Sequence, residues 1–90
     1  MTAITILDGG TGRELKRITS QGWLKAVALS PDAKQIACAW NVGDIDIHYE
    51  LRVIQVSGGS MQTVWRGATR EYISPAAWSP DGTSVLVRIN

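Results

Sequence analysis

Four residues that could hold a metal, Asp44, Asp46, His48 and Glu50, alternate along one short stretch of this 90-residue chain. On an extended strand a period of two places them on one face, where carboxylates and an imidazole can hold a divalent cation. The same stretch carries the complementary series Ile45, Ile47, Tyr49, Leu51 and Val53. A strand with one buried face and one solvated acidic face accounts for both series, whereas a compact metal site draws its ligands from several elements. The expectation is therefore no metal here. Ser30, Ser79, Asp32, Asp81 and His48 hold the letters of a Ser-His-Asp triad, but no Gly-x-Ser-x-Gly elbow occurs and both serines stand in a repeated tripeptide. Gly9-Gly10-Thr11-Gly12 has the glycine content of a phosphate cradle, yet no Gly-Lys-Ser/Thr follows, so a hairpin turn is expected. With a single histidine in the chain, little material remains for acid–base catalysis. No catalytic residue and no cofactor is expected.

Other side chains suit binding better than chemistry. Trp23, Trp40, Trp65 and Trp78 could form an aromatic stack for a ligand; as core aromatics, at least two of them should be buried. Trp40 and Trp65 stand near strand ends, and with Asn41, Asp44, Asp46 and Arg70 they make up the expected partner-binding set. Cys38 lies inside an apolar strand and reads as a small buried hydrophobe. Arg13, Lys16, Arg17, Arg66 and Arg70 read as solvated charges of outer strands.

Composition narrows the elements that must carry these residues. Apolar residues make up 44% of the chain and charged ones 19%, which excludes a disordered composition. The formal net charge of +1, with basic residues scattered, points to neither nucleic acid nor an acidic membrane surface. One cysteine excludes a disulfide-stapled scaffold. No apolar run reaches the roughly 20 residues of a membrane-spanning helix, and no signal-peptide pattern precedes Asp8. The compartment stays open. A domain this small buries only about 60–65% of its unfolded surface and gains from association.

The chain repeats itself. Ser30-Pro31-Asp32 recurs as Ser79-Pro80-Asp81, an offset of 49 (79 − 30). The same ungapped offset lays Gly9-Gly10 on Gly58-Gly59, Arg17 on Arg66, Ala28 on Ala77 and Asn41 on Asn90, with Ile4/Val53, Leu7/Val56, Leu15/Val64, Trp23/Tyr72 and Ile36/Val85 as conservative matches. Two turns in one register are hard to ascribe to chance. Strands are expected at 3–7, 14–19, 23–29, 35–40, 45–56, 61–65, 73–78 and 84–89. Glycine, Pro-Asp and Asp-Gly turn chemistry stands between them, and no stretch has helical periodicity. The fold class is all-β, with eight strands.

The segments Ala26-Val-Ala-Leu-Ser-Pro-Asp-Ala-Lys-Gln-Ile-Ala-Cys-Ala and Pro75-Ala-Ala-Trp-Ser-Pro-Asp-Gly-Thr-Ser-Val-Leu-Val resemble the TolB-type, WD-repeat-like propeller repeat. Leu29 and Ala33 depart from that repeat, which has Trp and Gly there, and the 41–49 connection is long for it. The resemblance implies a β-propeller fragment of antiparallel four-stranded blades, one complete and two half: 1–22 an outer half-blade, 23–71 a complete blade and 72–90 an inner half-blade. Half-blades leave bare strand edges, so the expected partner is a protein, or the chain itself through pairing of 73–89 with 3–19 of another copy. No nucleic acid and no membrane insertion are expected. The functional expectation is a non-catalytic module that presents loops 41–49 and 66–72 for protein or ligand binding. The alternative is a regulatory or substrate-gating propeller attached to a peptidase or protein-kinase domain outside this chain.

Overall fold

The computed structural model describes residues 2–43 and 46–90. Its strands are β1 (Thr2–Leu7), β2 (Glu14–Ser20), β3 (Trp23–Leu29), β4 (Gln35–Asn41), β5 (Tyr49–Gln55), β6 (Met61–Arg66), β7 (Ile73–Trp78) and β8 (Val85–Ile89). Consecutive strands pair antiparallel into three sheets, β1-β2, β3-β4-β5-β6 and β7-β8. Among the described residues there is no helix, and so none long and apolar enough to cross a membrane. The chain is all-β.

The four-stranded sheet is the middle layer. β4 (Gln35–Asn41) is buried continuously from Ile36 to Trp40 because both its faces are covered, which is why it reads as an apolar run rather than an alternation. Ile36, Cys38 and Trp40, with Ile54 of β5, pack against Ile4, Ile6 and Ile18 of the β1-β2 hairpin. On the other face Ala39, Tyr49 and Leu51 pack against Ile73 and Val87 of the β7-β8 hairpin. The alternation of β1, with Ile4 and Ile6 half-buried and Ala3, Thr5 and Leu7 exposed, follows from cover on one face alone. β5 begins at Tyr49 rather than at 45, so Asp46 and His48 precede the strand and do not share a face with Glu50.

The repeat is written in hydrogen bonds. Ser30 Oγ donates to Asp32 Oδ1 at 2.7 Å, and Asp32 Oδ1 also accepts from the Lys34 amide at 3.0 Å. Ser79 Oγ donates to Asp81 Oδ1 at 2.6 Å, and Asp81 accepts from the Thr83 amide at 3.1 Å. The Gln35 and Ser84 amides close the two turns onto Ser30 Oγ and Ser79 Oγ at 2.9 and 3.0 Å. The strand pairs follow the same offset of 49: Leu29↔Ile36 and Ala28↔Ala37 become Trp78↔Val85 and Ala77↔Leu86.

The outer hairpins obey a different offset. The Asp8 and Gln55 amides donate to the carbonyls of Arg13 and Ser60, and the Gly12 and Gly59 amides donate to those of Asp8 and Gln55. Gly12 and Gly59 are the residues with positive φ in these turns, at 74° and 71°. The pairs Ile4↔Ile18 and Leu7↔Glu14 then map onto Leu51↔Trp65 and Ile54↔Met61, an offset of 47 (59 − 12). The ungapped alignment of Gly9-Gly10 on Gly58-Gly59 is thus corrected by two residues. Backbone conformation decides it, since glycine is needed where φ is positive, not wherever two glycines adjoin. The two residues are taken up between the outer and inner hairpins: the equivalents of Ser20 and Trp23 are Gly67 and Tyr72, so the four residues 68–71 replace the two residues 21–22.

Candidate partner-binding site

Two neighbouring loops form a polar rim. Asn41 Oδ1 accepts from the amides of Gly43 and His48, each at 3.1 Å, which folds the start of the 41–49 loop back on its end. The Arg70 amide donates to the Ile47 carbonyl at 2.8 Å and the Gly67 amide to that of Tyr49 at 2.9 Å, so the 66–72 loop is laid against the first. Arg70 adopts a left-handed φ of 62° to do so, and its guanidinium reaches Asp46 at 3.5 Å. Both side chains are exposed, so this ion pair contributes about 0–1 kcal/mol and leaves charge available at the surface. Beside them the Tyr49 and Tyr72 rings lie 5.6 Å apart, with the Lys25 ammonium 4.9 Å from the centre of Tyr72. Lys25 and Tyr72 stand 47 residues apart (72 − 25), and no local pattern links them.

The remaining expected site residues separate. Asp44 lies outside the described residues. Trp40, expected at a partner surface, is wholly buried: its Nε1 donates to Cys38 Sγ at 3.0 Å and the Arg52 guanidinium lies over its ring. Of the four tryptophans it alone is fully covered, where at least two were expected to be, and Trp23 is 74% exposed. Trp65 is partly exposed, as expected.

Glu50 is not a solvated acid. It is buried on the β1-β2 side of the middle sheet. Its carboxylate accepts from Arg52 Nε at 3.0 Å and Thr63 Oγ1 at 3.1 Å, and meets Arg66 Nε at 3.1 Å. Burial alone would raise its pKa, but the hydrogen bonds from Arg52 and Thr63, with the charges of Arg52 and Arg66, outweigh it and hold the carboxyl below its ordinary value. Arg52 also donates to Ser20 Oγ at 2.9 Å, which ties the β1-β2 hairpin to the middle sheet. The cluster is a structural tie. Among the described residues no group of three or more His, Cys, Asp and Glu side chains could hold a metal. Burial pushes the Cys38 thiol up to about 11, which keeps it protonated and unreactive. In the 8–12 turn Asp8 Oδ1 already accepts from the Gly10 and Thr11 amides, which a phosphate would need.

The most apolar opening is elsewhere. A groove of about 530 Å³ runs along β5 and β6 beside β8, lined by Leu51, Val53, Val64, Trp65, Val85 and Val87. Among the described residues no charged side chain lines it. Among the described residues β8, along its border, pairs with β7 alone, and β1, at the far end of the molecule, pairs with β2 alone. Sequence reading pointed to Trp65 but not to the groove, which exists because the β7-β8 hairpin lies mainly over β3 and β4 and leaves the outer strands open. No protein-family model, no curated protein and no solved structure matches the chain.

Proposed function

We propose that the chain is a non-catalytic β-propeller module that works by binding protein, as part of a larger or oligomeric propeller. The observation that carries this reading is the open edge of β8 beside an uncharged, largely apolar groove. An unpaired edge is a template for another strand, and added strands gain affinity from the backbone and specificity from side-chain pockets. The stacking of hairpin, four-stranded sheet and hairpin, with β7 laid over β3 and β4, is what face-to-face packing of radial blades requires. In that frame residues 1–22, 23–71 and 72–90 are an outer half, a whole and an inner half of three successive blades.

The polar groups also favour binding over catalysis. The buried carboxylate of Glu50 is committed to three partners, and the serines of both Ser-Pro-Asp turns are spent on their own aspartates. The rim of Asn41, Asp46, Arg70 and Tyr72 is the second recognition surface in this reading, presenting an exposed charge of each sign beside an aromatic pair. Electron microscopy of the purified protein tests the architecture. Blades arranged around a central channel are expected, and a chain with no radial arrangement contradicts the proposal.

A further inference from the structure

The module's partner follows from its own repeat. Building on the blade reading above, we propose that a second copy of this chain docks its β1-β2 hairpin on β8, completing a four-stranded sheet β7-β8-β1′-β2′ (primes mark the second copy). Within one chain the equivalent event is already present: β5 pairs with β4, and β5-β6 is the counterpart of β1-β2. The β4–β5 pairs Cys38↔Arg52, Ala37↔Val53 and Ile36↔Ile54 fix the register. With β8 offset from β4 by 49 and β1 from β5 by 47, they become Val87↔Thr5′, Leu86↔Ile6′ and Val85↔Leu7′. Every residue of β1, from Thr2 to Leu7, then meets a residue of the segment 85–90.

Surface chemistry matches at both ends of this contact. β1 carries no charged side chain and no proline, the devices that normally blunt a free edge, and the groove it would enter is also uncharged. Thr5 and Leu7 face away from the chain's own middle sheet, so in the docked hairpin they point into the groove beside Leu51, Val53 and Trp65. A second match lies nearer the centre. Leu86, on the face of β8 turned away from the groove, is 68% exposed, while its counterpart Ala37 on β4 is fully buried. Val27 and Leu29 of β3 are 51% and 59% exposed although their strand partners Cys38 and Ile36 are buried on that same face. Head-to-tail docking lays Leu86 of one copy over Val27′ and Leu29′ of the next.

The area is consistent with this contact. The chain exposes 5742 Å², whereas a folded monomer of 9.8 kDa exposes about 5,200 Å². The excess of roughly 500–600 Å² is of the sign that open faces produce. Each copy contributes the equivalent of two four-stranded sheets, so closure at four to eight blades needs about two to four copies.

Disulfide trapping on the full chain tests the register. Thr5→Cys and Val87→Cys variants are prepared separately, mixed and oxidised mildly; Cys38, buried and protonated, stays silent. Facing positions of a strand pair bring Cβ atoms close enough for a disulfide after small adjustment. The expected product shifts from one chain to two and contains one of each variant, and it is absent when either variant is oxidised alone. Folded variants that form no mixed disulfide overturn the proposal, as does preferential linkage of Thr5→Cys to a Val85→Cys chain. Linked copies that electron microscopy finds in open fibres would leave strand pairing standing and remove the propeller. A closed ring without the linkage would do the reverse.

Discussion

Ala33 takes a left-handed φ of 61° at the turn position where its repeat counterpart Gly82 takes 75°. An L residue there costs about 1–2 kcal/mol against right-handed backbone, and glycine gives back about 0.4–1 kcal/mol through its looser unfolded state. Ala33→Gly should therefore stabilise the protein by about 0.8 kcal/mol, which for a domain of this size raises Tm by about 3–6 °C. The side chain of Ala33 is exposed, so little packing is lost. Gly82→Ala is the mirror experiment. A Cβ at Gly82 meets nothing within 4 Å, so the cost is backbone strain alone and Tm should fall by a similar amount. The double exchange should return close to the parent, because the two turns lie in separate hairpins and share no partner. Thermal unfolding followed by circular dichroism, at one fixed protein concentration, reads all three. An Ala33→Gly protein no more stable than the parent, or a Gly82→Ala protein equally stable, would refute the equivalence of the two turns.

Further expectations concern the buried groups. Glu50→Gln removes the anion from Arg52 and Arg66 and should cost about 3 kcal/mol in urea unfolding, as loss of one member of a buried pair does. Because the folded state holds Glu50 below its ordinary value of 4.5, its contribution is fully present above that pH and is lost as pH falls through the lower, folded value; Glu50→Gln should flatten that acid limb. Asp81, held at about 2 chiefly by Ser79 and then by Thr83, gives a limb of the same sign at lower pH, and Ser79→Ala should weaken it. Cys38 should resist alkylation at pH 8 in native buffer and react fully in denaturant, since burial raises its thiol to about 11. Gly67→Ala places a Cβ 3.2 Å from the Trp65 ring and 3.3 Å from Glu71 Oε1, so the 66–72 loop should shift and Trp65 fluorescence should change.

The strand pattern and the Ser-Pro-Asp turns were legible in the residues because each is local: a Ser, a Pro and an Asp in sequence suffice to close the turn that the hydrogen bonds reveal. The offset of the outer hairpins was not. Glycine pairs looked like the marker, whereas the positive φ at Gly12 and Gly59 is what the backbone conserves. Tryptophan burial was misread for a similar reason. Trp40 sits on β4, covered on both faces, while Trp23 begins β3 at the open end, and residue type alone does not say which strand is central. Glu50 read as a solvated acid because its partners Arg52 and Thr63 belong to strand register rather than to composition. The groove beside β8 is a property of how a hairpin lies on a sheet, which no linear pattern carries.

The most direct measurement is the mass of the unmodified chain in solution by sedimentation equilibrium. Complementary edges predict one discrete species of about two to four chains of 9.8 kDa, which a Leu86→Glu substitution at the exposed face of β8 shifts toward the single chain. A parent protein that sediments at 9.8 kDa across the whole concentration range would contradict the account.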